Sequence, residues 1–163
     1  MKALRFVTAV AVAVFLQTTL ARLSGTFGRY ADLTLLPVVW YAIRGTQRSA
    51  MLAGCIVGLV HDAWFRIAVF GMGGFKRTLL GWILGGVGNR FDLNHAPGRF
   101  AVGTSLALGD GLLDMALRRM MDLEQGGGWV EMLLRSLCTG ILTVFVFATI
   151  DRFRGPGDRG RLG

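Results

Sequence analysis

The feature that most restricts this chain is its series of long apolar runs, cut by short polar segments. Between Arg5 and Arg22 lie 16 uncharged residues, enough for about 24 Å of helix. Five more apolar stretches follow, and the last is opened by Trp129. Runs of this length and poverty in charge are the signature of helices that lie in hydrocarbon. Composition agrees. Hydrophobic residues make up 53% and charged residues 17%, with a mean hydropathy of +0.52, whereas a soluble domain carries about 25% charged residues. The 163 residues suffice for one domain. The fold class expected is an all-α polytopic membrane protein, a bundle of about six transmembrane helices.

The expected helices cover about 4–23, 32–44, 49–65, 75–89, 100–121 and 129–150, within one transmembrane domain at 1–151. The second is the weak member. Its apolar part, 33–43, holds Pro37 and covers only about 17 Å, so it is a short or broken span. Lys2 and Arg5 ahead of an apolar core, with Thr19-Leu20-Ala21 behind it, also match a cleaved signal peptide. Topology favours a retained helix. The tail at 152–163 carries Arg152, Arg154, Arg159 and Arg161 among Gly and Pro, and the start carries Lys2 and Arg5. Both ends are expected in the cytoplasm, which needs an even number of crossings.

The net charge of +8 and a pI near 11 would point to nucleic acid in a soluble protein. Here the basic residues lie mostly between and beyond apolar runs, so anionic lipid headgroups are the expected partners and nucleic acid is not. Cys55 and Cys138 both fall inside apolar runs, far from any second Cys or His at ligand spacing. No disulfide framework, metal site or cofactor is expected. The segment Gly71-Met72-Gly73-Gly74-Phe75-Lys76-Arg77-Thr78 fails the Walker pattern. Its glycines read as a tight or re-entrant connection between helices.

Two kinds of residue stand out within the runs. Ala50, Gly54, Gly58 and Asp62 recur every four residues and share one helical face. Gly81 and Gly85 form a second small-residue face, and such faces let helix backbones approach closely. The other kind is intramembrane charge. A lone carboxylate at bilayer centre costs about 2.5–3.5 kcal/mol on insertion scales, so each such group should have a partner. For Asp62 and Asp110 the expected partner is a base on a neighbouring helix: Arg66, Lys76, Arg77 or Arg135. Asp114 and Arg118 can pair at i, i+4, as can Glu131 and Arg135. Asp32 is placed to cap the second helix. His61 reads as a packing histidine and His95 as a solvated loop residue.

The chain resembles the MreD family of rod-shape-determining membrane proteins over most of its length. The resemblance rests on a basic start with a first helix ending in Gln17, and on Asp32-Leu33-Thr34-Leu35-Leu36-Pro37, which opens a short apolar helix ending in Ala42-Ile43-Arg44. It continues through Gly54, then Gly58-Leu59-Val60-His61-Asp62, a short glycine segment, Gly81 and Gly85, and an Asp in the fifth helix, Asp110 or Asp114. The chain departs from the family in having Ala31 before Asp32 and Lys76-Arg77 after the glycines. The resemblance implies a non-enzymatic subunit of the cell-wall elongation machinery in the bacterial cytoplasmic membrane. The implied partners are MreC, MreB, and the transpeptidase and glycosyltransferase of the rod complex. It further implies a fold similar to the substrate-binding subunits of energy-coupling-factor transporters. A solute-binding subunit of such a vitamin transporter is therefore the alternative, with Ala9-x3-Ala13 as a possible contact face. A remoter alternative is an intramembrane aspartyl protease using Asp62 and Asp110. Ala107-Leu108-Gly109-Asp110 is one residue off the Gly-x-Gly-Asp pattern of that class.

Overall fold

In a computed structural model of the chain, residues 2–23, 30, 32–65, 69–88, 90, 95–123 and 127–153 are described. All secondary structure among them is helical. It comprises α1 (Lys2–Leu23), a 3-10 turn (Leu33–Leu35), α2 (Leu36–Arg44), α3 (Gln47–Phe65), α4 (Met72–Gly88), α5 (Ala96–Met120) and α6 (Trp129–Phe153). Arg66 as a partner for Asp62 and the basic tail from Arg154 onward lie outside the described residues, as do the stretches 24–29, 91–94 and 124–126 between expected helices.

Among the described residues there are six α-helices, and two of them, Ala96–Met120 and Trp129–Arg152, are long and apolar enough to cross a membrane. α1 is apolar over Val7–Thr19. α2 has nine residues, about 13 Å. α3 and α4 carry charged side chains, including Asp62, Lys76 and Arg77, within 19 and 17 residues.

Local chemistry sets the helix ends. The carboxylate of Asp32 accepts from the backbone N–H of Thr34 at 3.0 Å and so starts the 3-10 turn. Pro37 falls in the first turn of α2, where no backbone donor is missed. Ahead of α3, the Thr46 N–H donates to Ser49 Oγ and the Ser49 N–H to Thr46 Oγ1, a reciprocal cap. After α5, Asp122 takes φ 54 while the Leu123 N–H reaches back to the Arg118 carbonyl at 2.9 Å, which closes the helix in a Schellman-type end.

α4 starts earlier than its sequence suggests. Gly73 and Gly74 belong to its first turn, and of that glycine segment Gly71 alone, at φ +93, makes the turn. α5 likewise starts at Ala96, which moves Arg99 from the expected loop onto the helix.

α3 and α4 are the most intimately packed pair. A Cβ on Gly54 would strike the carbonyl of Arg77, one on Gly58 the backbone of Gly73 and Gly74, and one on Gly81 the carbonyl of Ala50. A Cβ on Gly85 would meet Ala50 and Gln47. The two small-residue faces therefore meet each other. α5 and α6 form a second pair, in which Gly103 lies against Thr143 and Gly140 against Thr104. α1 joins through Val10, Ala13 and Val14, while Ala9 is exposed, so the Ala9-x3-Ala13 pair is split between the bundle and the surface. Leu35, Val38, Val39, Val57, Leu80, Leu106 and Phe147 fill the middle of the bundle.

Around this apolar core the polarity of the molecule is partly inverted relative to a soluble protein. Phe145, Val130 and Phe15 are largely exposed, at 70%, 70% and 69%. Asp32, Asp62, Arg77 and Asp110 are buried, with Asp62 at 1% and Arg77 at 2%.

Candidate functional site: a buried charge network at one end of the bundle

Successive helices run in opposite directions, so residues distant in sequence collect at the same end. The start of the 3-10 turn, the end of α3, the start of α4, the second half of α5 and the start of α6 share one end. That end holds Asp32, Asp62, Lys76, Arg77, Asp110, Asp114, Arg118 and Arg135.

Asp32 is the hub. One carboxylate oxygen, Oδ1, accepts from the Thr34 N–H at 3.0 Å and from the Thr34 hydroxyl. The other, Oδ2, accepts from Arg77 Nη2 at 3.0 Å and Arg135 Nη2 at 2.7 Å. The adjacent Leu33 N–H donates to Gln17 Oε1 at 2.9 Å. Residues 32–33 therefore tie α1, α4 and α6 to one short turn. Sequence reasoning gave Asp32 the cap alone. The signal for more was the lack of an acidic partner near Lys76-Arg77 in sequence.

Asp110 lies within 3.7–3.9 Å of Lys76 Nζ, Arg77 Nε and Arg135 Nη2, which are three of the bases expected for it. Asp114 accepts from Lys76 Nζ through Oδ1 and from Arg118 Nε at 2.6 Å through Oδ2. The pairing of Asp114 with Arg118 is the i, i+4 pair expected from sequence, and Lys76 extends it to α4. Arg135 turns to Asp32 in place of the expected Glu131. A buried, charge-assisted bond outcompetes an exposed i, i+4 pair.

Asp62 differs from its expectation. Its Oδ2 accepts from the backbone N–H groups of Gly71, Gly73 and Gly74 at 3.0, 2.8 and 3.3 Å. The partner is thus the amino end of α4 and not a basic side chain. Free amides and the positive end of the helix dipole stabilise a carboxylate there. Gly73 is required for this contact, because a Cβ would strike Asp62 Oδ1. His61 stacks on Phe65, with ring centroids 4.6 Å apart.

A smaller cluster closes the opposite end. Asp151 accepts from Arg44 Nη2 and pairs with Arg99 Nη2, each at 2.6 Å. Arg44 lies over the Trp40 ring at 4.4 Å and Arg99 over Phe147 at 5.3 Å. This joins the ends of α2 and α6 to the start of α5. The apolar layer around Leu35, Val38 and Leu106 separates the two charged ends.

In chemical terms the network cross-links helices. The two carboxylates of the protease alternative have separate partner sets, backbone amides for Asp62 and basic side chains for Asp110. Among the described residues no group of three or more His, Cys, Asp or Glu side chains is placed to hold a metal ion. Compared with known protein families, with characterised proteins and with solved structures, the chain matches none. The resemblance to the MreD family thus rests on the residues quoted for it.

Proposed function

We propose that this chain is a six-span, non-enzymatic scaffold or regulatory subunit of the rod-shape complex in the bacterial cytoplasmic membrane, with both termini in the cytoplasm. It binds MreC directly and supports lateral peptidoglycan synthesis together with MreB and the complex's transpeptidase and glycosyltransferase. The observation that carries this reading is the inverted polarity. Charge is gathered inside to bind helix to helix, and Phe15, Trp82, Leu137, Ile141 and Phe145 are presented outward. In lipid, helices associate through close packing and interhelical polar contacts. A chain that spends its charges on internal fastening and its surface on apolar side chains suits the role of a platform for other membrane helices.

The test is co-expression with an affinity-tagged MreC-like partner, followed by extraction in mild detergent. The expected result is co-purification at a fixed ratio, lost in Gly58→Leu and retained in Gly128→Ala. Absence of the partner from a well-folded parent preparation sinks the proposal. Depletion of the chain in a rod-shaped host should round the cells.

A further inference from the structure

Among the described residues, five buried polar atoms at the Asp32 end of the bundle have no hydrogen-bond partner: His61 Nδ1, Asp62 Oδ1, Arg77 Nε, Arg77 Nη1 and Asp110 Oδ1. They stand on α3, α4 and α5. Arg77 Nε is 3.7 Å from Asp110 Oδ1, and His61 Nδ1 is 3.9 Å from Asp62 Oδ1. Gly73 and Gly74, whose amides hold Asp62, lie one turn of α4 before Arg77. We propose that these groups form a binding site for a small zwitterionic solute, one that carries both an oxyanion and an ammonium or similar donor.

Buried polar groups are as a rule satisfied, so a concentration of unmet ones marks a place where a further molecule belongs. The unmet set is mixed. Arg77 offers donors, in the planar geometry suited to a carboxylate. Asp110 and Asp62 offer acceptors. The charges gathered at this end are balanced, with Lys76, Arg77, Arg118 and Arg135 against Asp32, Asp62, Asp110 and Asp114. A lone anion or cation would upset that balance, whereas a zwitterion meets both kinds of group and leaves it unchanged.

Access is graded. Asp32, Arg77 and Asp110 are nearly inaccessible, while the side chains of Asp114, Arg118 and Arg135 are 27%, 29% and 36% exposed. Inward lies the apolar layer of Leu35, Val38 and Leu106. A charged end that is exposed at its rim and backed by an apolar layer suits a binding site and not a channel. This goes beyond a purely scaffolding role.

The experiment uses the full chain purified in detergent, with thermal unfolding followed by tryptophan fluorescence. The probes are glycine, sodium acetate and ethylammonium chloride, each against sodium chloride at matched ionic strength. Glycine should raise Tm saturably and by more than either half-molecule. Asp110→Asn removes a charge whose Oδ1 accepts no hydrogen bond among the described residues, though Lys76, Arg77 and Arg135 lie 3.7–3.9 Å from the carboxylate, and should weaken glycine binding about tenfold. A glycine shift no larger than the salt control overturns the proposal, and so does an equal shift in parent and Asp110→Asn, because the groups are then only hydrated. Should that variant fail to fold, equilibrium dialysis of radiolabelled glycine against the parent chain decides. Saturable binding of one molecule per chain supports the site, and none overturns it.

Discussion

Replacing Asp32 with Asn should cost this fold more than any other single isosteric change. The Asn side chain can still accept from the Thr34 N–H, so the cap survives. What is lost is the negative charge facing Arg77 and Arg135 at 3.0 and 2.7 Å. Arg77 is buried and would keep only its looser contact with Asp110 at 3.7 Å, so the loss approaches that of breaking a buried ion pair, about 3–5 kcal/mol. Arg135 is one-third exposed, so water offsets most of its share. Asp32→Ala also removes the cap and should cost about 1 kcal/mol more. At about 2–4 °C per kcal/mol for a chain of this size, Asp32→Asn should lower Tm by about 10–15 °C. Unfolding in detergent micelles, followed by tryptophan fluorescence and size-exclusion chromatography, reads this directly. The double variant Asp32→Asn with Arg77→Met separates causes. Removing both charges should recover most of the loss, since a buried pair replaced by neutral groups is often nearly neutral. A Tm within about 2 °C of the parent for Asp32→Asn, or strict additivity in the double variant, would refute the reasoning.

Three further outcomes are expected. Gly58→Leu should disrupt the α3–α4 pairing by at least about 3 kcal/mol, since its side chain meets the backbone of Gly73 and Gly74 and not a yielding side chain. Gly128→Ala, with nothing within 4 Å of an added Cβ, is the neutral control, and both are read by Tm and monodispersity. Asp62→Ala should lower stability by about 1–2 kcal/mol through loss of the α4 cap. Added formate should recover part of it at constant ionic strength, which an unrelated packing defect would not allow. Asp151→Asn should cost only about 1 kcal/mol, because Asp151 is itself one-third exposed. A loss as large as that of Asp32→Asn would show that both charged ends fasten the bundle equally.

The helices were legible because hydrophobic runs and turn residues are local signals. The expected segments match the observed ones to within about four residues at each end. The largest differences arose where tertiary contacts extend a helix past its apolar run. α4 reaches back to Met72 because Asp62 satisfies its first amides. α5 reaches back to Ala96, with Pro97 in its first turn and Arg99 drawn to Asp151.

By itself the sequence determined that the chain is helical, that small residues line one face of α3 and one of α4, and that carboxylates set within apolar runs must be partnered. These follow from periodicity and from the cost of charge in hydrocarbon, which depend only on residue type and spacing. It did not determine who partners whom. Asp32 and Arg135 are 103 residues apart, and Asp32 and Arg77 are 45. Several bases were available to each acid, and only the alternation of helix directions decided which ones share an end. The tertiary structure gave Asp62 to a helix terminus and made Asp32, expected only to start a helix, the group on which three elements converge.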